Sequence, residues 1–334
     1  MERNSQSNKG GQSYRSSLLL FLAASIWGVA FVAQSVGMDY MGPFTFNGAR
    51  SLIGGMVLLP LIAFRERSRK RDAVEEETPE KKKARRKVTL IGGCCCGLAI
   101  CTASMFQQYG IQYTTVGKAG FITTLYIIIV PIMGLFFGKK VRRIVWAGAA
   151  LAAAGMYLLC VNETLSLNKG DLLVFICAVI FSIHILVIDY FSPKADGVKL
   201  SCIQFFVAGI ICTIGAFLVE TPTWSALVSG AVPVLYAGVM SCGVAYTLQI
   251  IGQRNLDPTV ASLILSLESV VSVLAGWVIL NQTMSSKEIF GCVLVFAAVI
   301  LVQLPEKKRQ PEGGAESGVP CPAAGGGVRS RLAA

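Results

Sequence analysis

Charge is scarce in this sequence: 15% of the residues are Asp, Glu, Lys or Arg, against 54% that are hydrophobic. A soluble domain needs a polar exterior, and this chain has too few charges to build one. The charges it has sit in short clusters between apolar stretches of about twenty residues, the length that crosses a bilayer core of about 30 Å. Histidine is reduced to His184 alone. A metal site would therefore lack its commonest ligand, and the cysteines do not replace it. All eleven but Cys321 lie in apolar spans, with no CxxC spacing, and they read as small polarizable packing residues. No metal, cofactor or disulfide framework is expected. GxxxxGK[ST], HExxH and a GxSxG elbow are missing too, so neither ATP hydrolysis nor a recognisable enzyme active site is indicated. The net charge of +11 comes without an aromatic–basic recognition motif, which excludes nucleic acid as the expected partner.

What is present is a series of ten apolar segments, at 16–37, 43–64, 88–109, 116–137, 142–162, 170–190, 198–219, 230–251, 258–281 and 286–304. They predict an all-α integral membrane protein with ten transmembrane helices. Pro43 and Pro258 stand at first-turn positions, where a missing N–H costs nothing. Residues 1–15 read as a polar tail ahead of an uncleaved first span. The basic residues set the orientation. Residues 65–87 carry eleven Lys or Arg and six acids, and Lys139–Arg143 carries four basic residues. The alternate set of loops holds almost none. By the positive-inside rule both termini are cytoplasmic. The 65–87 loop reads as a flexible linker, and the tail 305–334 as disordered.

The sequence also repeats itself. A shift of 142 positions aligns Ala103/Ala245, Gln107/Gln249, Gly110/Gly252, Ala119/Ala261, Ile122/Ile264, Leu125/Leu267 and Gly134/Gly276. A shift of 154 aligns Leu18, Leu19, Phe21, Ala24 and Ile26 with Leu172, Leu173, Phe175, Ala178 and Ile180. The expected domains are thus two five-helix repeats, 16–162 and 170–304. Five is odd, so the second copy enters the membrane inverted, and the opposite charge bias of the matching loops agrees. Inverted repeats are an architecture of secondary transporters, with the substrate site near the midplane between the halves.

At Ala24-Ser25-Ile26-Trp27-Gly28, Pro43 and Phe46-Asn47-Gly48-Ala49-Arg50 the chain resembles the EamA-type branch of the drug/metabolite transporter superfamily. Thr115-Val116-Gly117-Lys118-Ala119-Gly120-Phe121, Val130-Pro131 and Leu267-Glu268-Ser269 extend the resemblance. Ser269 stands where the family usually has proline, and Asn281-Gln282 where it often has Gly-Glu. The resemblance implies ten helices in two inverted repeats, working by alternating access without ATP.

Polar groups in hydrocarbon need a reason. Glu268 lies ten residues into its span, about 15 Å deep. It is either a proton- or substrate-binding carboxyl or a hydrogen-bonded structural glutamate. Tyr126, its partner under the 142 shift, is a cavity wall or packing aromatic. Arg50 either snorkels or attracts an anionic group, and it shares a face with Asn47, Ser51 and Gly54. His184 is a packing residue or a proton-coupling group. Gln107 and Gln249 are symmetric hydrogen bonders or substrate contacts, and Trp27 lines a cavity or faces lipid. Pro131 is expected to kink the fourth span as a gate. Stripes of small residues (Gly148, Ala152 and Gly155; Ser262, Ser266, Ser269 and Gly276) serve packing or a homodimer contact.

The expected function is a secondary carrier in the cell membrane, exporting a small metabolite, amino acid or toxic compound, with protons as the coupling ion. A channel or sensory protein and an intramembrane enzyme for lipid-linked substrates are the alternatives.

Overall fold

The computed structural model describes residues 2–71, 78–114, 116–136, 138, 141–160, 168–280 and 285–303. Thr115, Asn281-Gln282, Cys321, residues 72–77 of the basic loop and the tail 305–334 lie outside them. Every element among the described residues is helical. In chain order these are α1 (Glu2–Gly37), α2 (Pro43–Arg71), α3 (Pro79–Ile111), α4 (Val116–Thr123), α5 (Tyr126–Phe136), α6 (Arg143–Cys160), α7 (Lys169–Phe191) and α8 (Gly197–Val219). Then come α9 (Trp224–Ser229), α10 (Ala231–Leu235), a π-helix (Tyr236–Ala245), α11 (Tyr246–Gln253), α12 (Pro258–Leu265), α13 (Leu267–Leu280) and α14 (Ser286–Gln303).

Eight helical stretches are long and apolar enough to cross a membrane. The other two expected spans are the 18-residue α6 and α14, whose apolar parts, Arg143–Gly155 and Ile289–Val302, are shorter.

Capping explains many of the starts. Pro43 opens α2, where the Glu220 carboxylate accepts from Phe44 N and Thr45 N, both at 2.8 Å. Asn168 and Asp171 form a capping box on α7. Asp196 and Asp257 cap α8 and α12, with Pro258 in the first turn of α12. Two expectations change. Residues 2–15, read as a tail, continue α1, and the basic 65–87 loop is helical to Arg71 and again from Pro79. Lys, Arg and Glu are good helix formers, so the helices run on past their apolar parts.

The fourth span is interrupted, but not at Pro131. The break lies at Thr124–Leu125, between α4 and α5, while Pro131 sits inside α5. The Thr124 hydroxyl donates to Phe121 O at 2.9 Å, and the next amides close i→i+3 bonds, such as Ile127 N to Thr124 O at 3.0 Å. The ninth span breaks at Ser266, 142 positions on, without a proline. Four hydroxyls explain it: Ser262, Ser266, Ser269 and Ser272 each donate to the carbonyl three residues back, at 2.7–2.8 Å. Such back-bonding competes with the α-helical ladder and bends helices.

Helices pack in a few extensive pairs: α2 with α8 and the π-helix, α3 with α7 and α8, α1 with α13 and α11, α4 with α7, and α6 with α14. The small-residue stripe on α6 is used within the chain. A Cβ on Gly148 would meet Val302 Cγ2 at 2.3 Å, and one on Gly155 would meet Gly291 O at 2.7 Å. In lipid, where tails are as apolar as side chains, such close approach is what holds helices together.

Candidate functional site

The helix breaks and the π-helix converge on one cavity of about 480 Å³ of atom-free space, counting its opening to solvent. Seven of the expected residues line it: Trp27, Arg50, Gln107, Tyr126, His184, Gln249 and Glu268. Asn47 stands behind them, its Oδ1 accepting from Arg50 Nε at 2.7 Å. Asn47 is itself held by Ser104 O, 3.3 Å from Nδ2. Pro131 is not on the wall.

Arg50 is buried, 5% exposed, and its guanidinium lies 5.6 Å from the centre of the Phe46 ring. Among the described residues no ion pair joins it to Glu268. The cavity thus offers a guanidinium and a carboxyl to a solute without tying them to each other. A buried cation gains most from an anionic partner, because little water screens the pair.

Glu268 is the second residue of α13, just past the Ser266 break, and Tyr126 begins α5 immediately past the Thr124–Leu125 break. The Tyr126 hydroxyl donates to Glu268 Oε1 at 3.0 Å. These residues are 142 positions apart, so two positions matched by the sequence repeat touch each other. His184 is fully buried, with Nε2 3.2 Å from Gln204 Oε1.

The polar satisfaction of the walls is uneven. Trp27 Nε1, Gln34 Oε1, His184 Nδ1 and Gln249 Oε1 are buried without a hydrogen-bond partner and belong to cavity residues, while Gln108 Oε1, Ser192 Oγ, Gln204 Nε2 and Gln253 Oε1 are unpaired away from the wall. Buried polar atoms are ordinarily paired, so a cluster of unpaired ones around a cavity marks groups free to meet a polar solute. Gln107 differs from its repeat partner Gln249: its Nε2 donates to Thr123 Oγ1 at 3.2 Å. The position matching Thr123 is Leu265, which has no hydroxyl, and Gln249 Oε1 stays unpaired.

Sequence reasoning missed Tyr246, which stacks 4.4 Å from Trp27 between ring centroids and lies 6.0 Å from His184. It also missed Phe31, Gln34, Phe181, Ile185 and Ser241 on the wall. The 154 shift carried a signal for one of them, since it pairs the expected Trp27 with Phe181; it also pairs Phe31 with Ile185. Ser241 lies in the π-helix and Tyr246 directly follows it. No hydrophobic period announces a π-helix, although such segments often mark functional sites.

Comparison with known proteins follows the same outline. A family model described as the EamA-like transporter family matches residues 15–161 and again 168–304. An "Uncharacterized transporter" of Archaeoglobus fulgidus is 30% identical over 288 residues, covering 85% of this chain and 84% of the relative. The "Uncharacterized inner membrane transporter YedA" of Escherichia coli K12 is 23% identical over 289 residues, covering 85% and 89%. A solved crystal structure shares the fold with a TM-score of 0.67, covering 86% of this chain and 96% of its own, at 19% identity.

Proposed function

The chain belongs to the EamA-like transporter family, a multi-pass transporter of the cell membrane, and from that premise we propose that it is an alternating-access secondary carrier. In this reading ten transmembrane helices form two inverted five-helix repeats, with both termini in the cytoplasm. The carrier exports a small metabolite, amino acid or toxic compound. The observation that carries the reading is the make-up of the cavity wall. Ten of its fifteen residues are five repeat-matched pairs: Trp27/Phe181, Phe31/Ile185, Gln107/Gln249, Thr123/Leu265 and Tyr126/Glu268. A site built from equivalent positions of both repeats is what an inverted-repeat carrier needs at its midplane.

Helix packing supports the same symmetry. Pairing α1 with α7, α2 with α8, α3 with the π-helix and α11, α4 and α5 with α12 and α13, and α6 with α14 maps contacts onto contacts. The α1–α13 contact then corresponds to α7–α5, α1–α12 to α7–α4, α3–α8 to the π-helix with α2, and α1–α11 to α7–α3. The α2–α8 and α6–α14 contacts map onto themselves. Exchange of conformation between such halves turns a cavity open to one side into one open to the other.

Arg50 supplies the counter-charge for an anionic group of the solute, and the unpaired atoms of Trp27, Gln34, His184 and Gln249 meet its polar groups. Glu268 carries the coupling proton, and release of its bond from Tyr126 accompanies protonation or solute arrival.

The test is transport by inside-out vesicles, with and without the protein, given a mixed metabolite extract under an imposed proton gradient. Enrichment of a few related compounds that needs both protein and gradient is expected. Gradient-dependent enrichment that persists unchanged in Glu268→Gln would remove the proton role from that residue. No enrichment in vesicles of either orientation would count against the carrier itself.

A further inference from the structure

Outside the cavity, two thiols from different halves of the chain lie in contact. Cys101 of α3 and Cys212 of α8 are both buried, 6% and 1% exposed, with their Sγ atoms 3.5 Å apart. Among the described residues no second pair of thiols is in contact.

The approach is set by a seam. A Cβ on Gly93 of α3 would fall 2.6 Å from Ile203 Cβ of α8, and one on Gly97 would fall 2.7 Å from Val207 Cβ. Helix backbones come this close only where one of them has no side chain to interpose. Cys101 is the next position of the same stripe, at i, i+4 and i+8 from Gly93 and Gly97. On α8, Cys212 continues Gln204 and Ala208 at the same spacing, and both of those are buried. The two cysteines are therefore held opposite each other by glycines one and two turns away. Bonded sulfurs stand about 2.0 Å apart, so the present gap must close by about 1.5 Å. Side-chain rotation can supply that movement while the seam keeps the helices in place.

We propose that Cys101 and Cys212 are a redox-active dithiol, closed to a disulfide between α3 and α8 by a lipid-soluble quinone. Both S–H bonds break and one S–S bond forms. The two electrons and two protons pass to the quinone, which leaves as quinol. A pair buried in an apolar bundle is nearer to an oxidant that dissolves in hydrocarbon than to one confined to water, and a transient parting of the surrounding side chains admits it. The oxidised form pins α3, which carries a wall residue, to α8, which holds another wall residue from behind. On α3, Gln107 lies six residues beyond Cys101, and on α8, Gln204 bonds His184.

The test uses the full chain, reduced, reconstituted in lipid nanodiscs and exposed to decylubiquinone, a fully substituted quinone that cannot add to thiols. Quinol is measured, remaining thiols are alkylated after denaturation, and cross-linked peptides are mapped by mass spectrometry. The expected result is one quinol formed per chain and one linkage, Cys101 to Cys212, reversed by dithiothreitol. Cys101→Ser and Cys212→Ser should each abolish the linkage; if either fails to fold, the wild-type map decides alone. Full alkylation of every thiol without quinol formation would overturn the proposal. So would linkages scattered over Cys94, Cys95 and Cys96.

Discussion

Replacing Tyr126 with Phe removes one oxygen from the centre of the cavity wall and leaves the aromatic ring to pack as before. The lost group is the donor of the 3.0 Å bond to Glu268, and both residues are buried, at 4% and 5% exposure. Truncating one partner of a buried hydrogen bond strands the other, at a cost of about 1–3 kcal/mol. At 25 °C that is roughly a 5- to 150-fold change in a folding equilibrium. Glu268→Leu alone strands the Tyr126 hydroxyl at a similar cost. The double variant strands neither, because it replaces both polar partners with apolar groups of similar bulk. Its destabilisation should therefore fall short of the sum of the two by about 1–3 kcal/mol. The assay is a double-mutant cycle on the full chain in nanodiscs, read by denaturant midpoints or by ligand-free thermal unfolding. Additivity within about 0.5 kcal/mol would refute the reasoning, since it would mean that the two side chains do not interact.

Other consequences can be checked separately. Arg50→Gln keeps a polar, though shorter, side chain and removes the cavity's guanidinium; it should weaken retention of the transported compound at least about tenfold, with the chain still folded. An effect no larger than that of an exposed change such as Lys81→Gln would take Arg50 out of the site. Asn168→Ala opens the capping box of α7 and should cost about 0.5–2 kcal/mol in unfolding experiments, with solute selectivity unchanged. Gly148→Leu drives a side chain into Val302 of α14, where even a Cβ would lie 2.3 Å from Cγ2. It should lower the yield of folded protein far more than Gly138→Leu, whose position has open space around it but a positive φ of 72°.

Most of the helical layout could be read from the sequence, because apolar runs of bilayer length and the prolines at their starts are local signals. All of the proposed substrate-contact residues but Asn47 met at one place for a related reason. Polar side chains inside apolar spans are rare, and the repeat shift marked which of them were equivalent. Harder to see was where spans break. Pro131 drew attention as the strongest local breaker, yet the interruption came from Thr124. In the ninth span it came from serines that a small-residue stripe disguised as packing. The π-helix and Tyr246 were invisible, since a π-helix has no hydrophobic period to read and Tyr246 looks like any buried aromatic. At the two ends of the charged stretch 65–87 the helices run on to Arg71 and start again at Pro79, because Lys, Arg and Glu extend helices as well as solvate a linker.

Entrance counterflow tests the carrier most directly. Vesicles containing the full chain are preloaded with the unlabelled compound identified by the extract experiment, then diluted into a trace of the labelled one without any gradient. A carrier that exposes its cavity to one side at a time exchanges label for unlabelled solute. The labelled compound should rise transiently above its equilibrium level inside the vesicles and then fall back. A monotonic approach to equilibrium, with a rate linear in concentration, would mean an open path and would contradict alternating access.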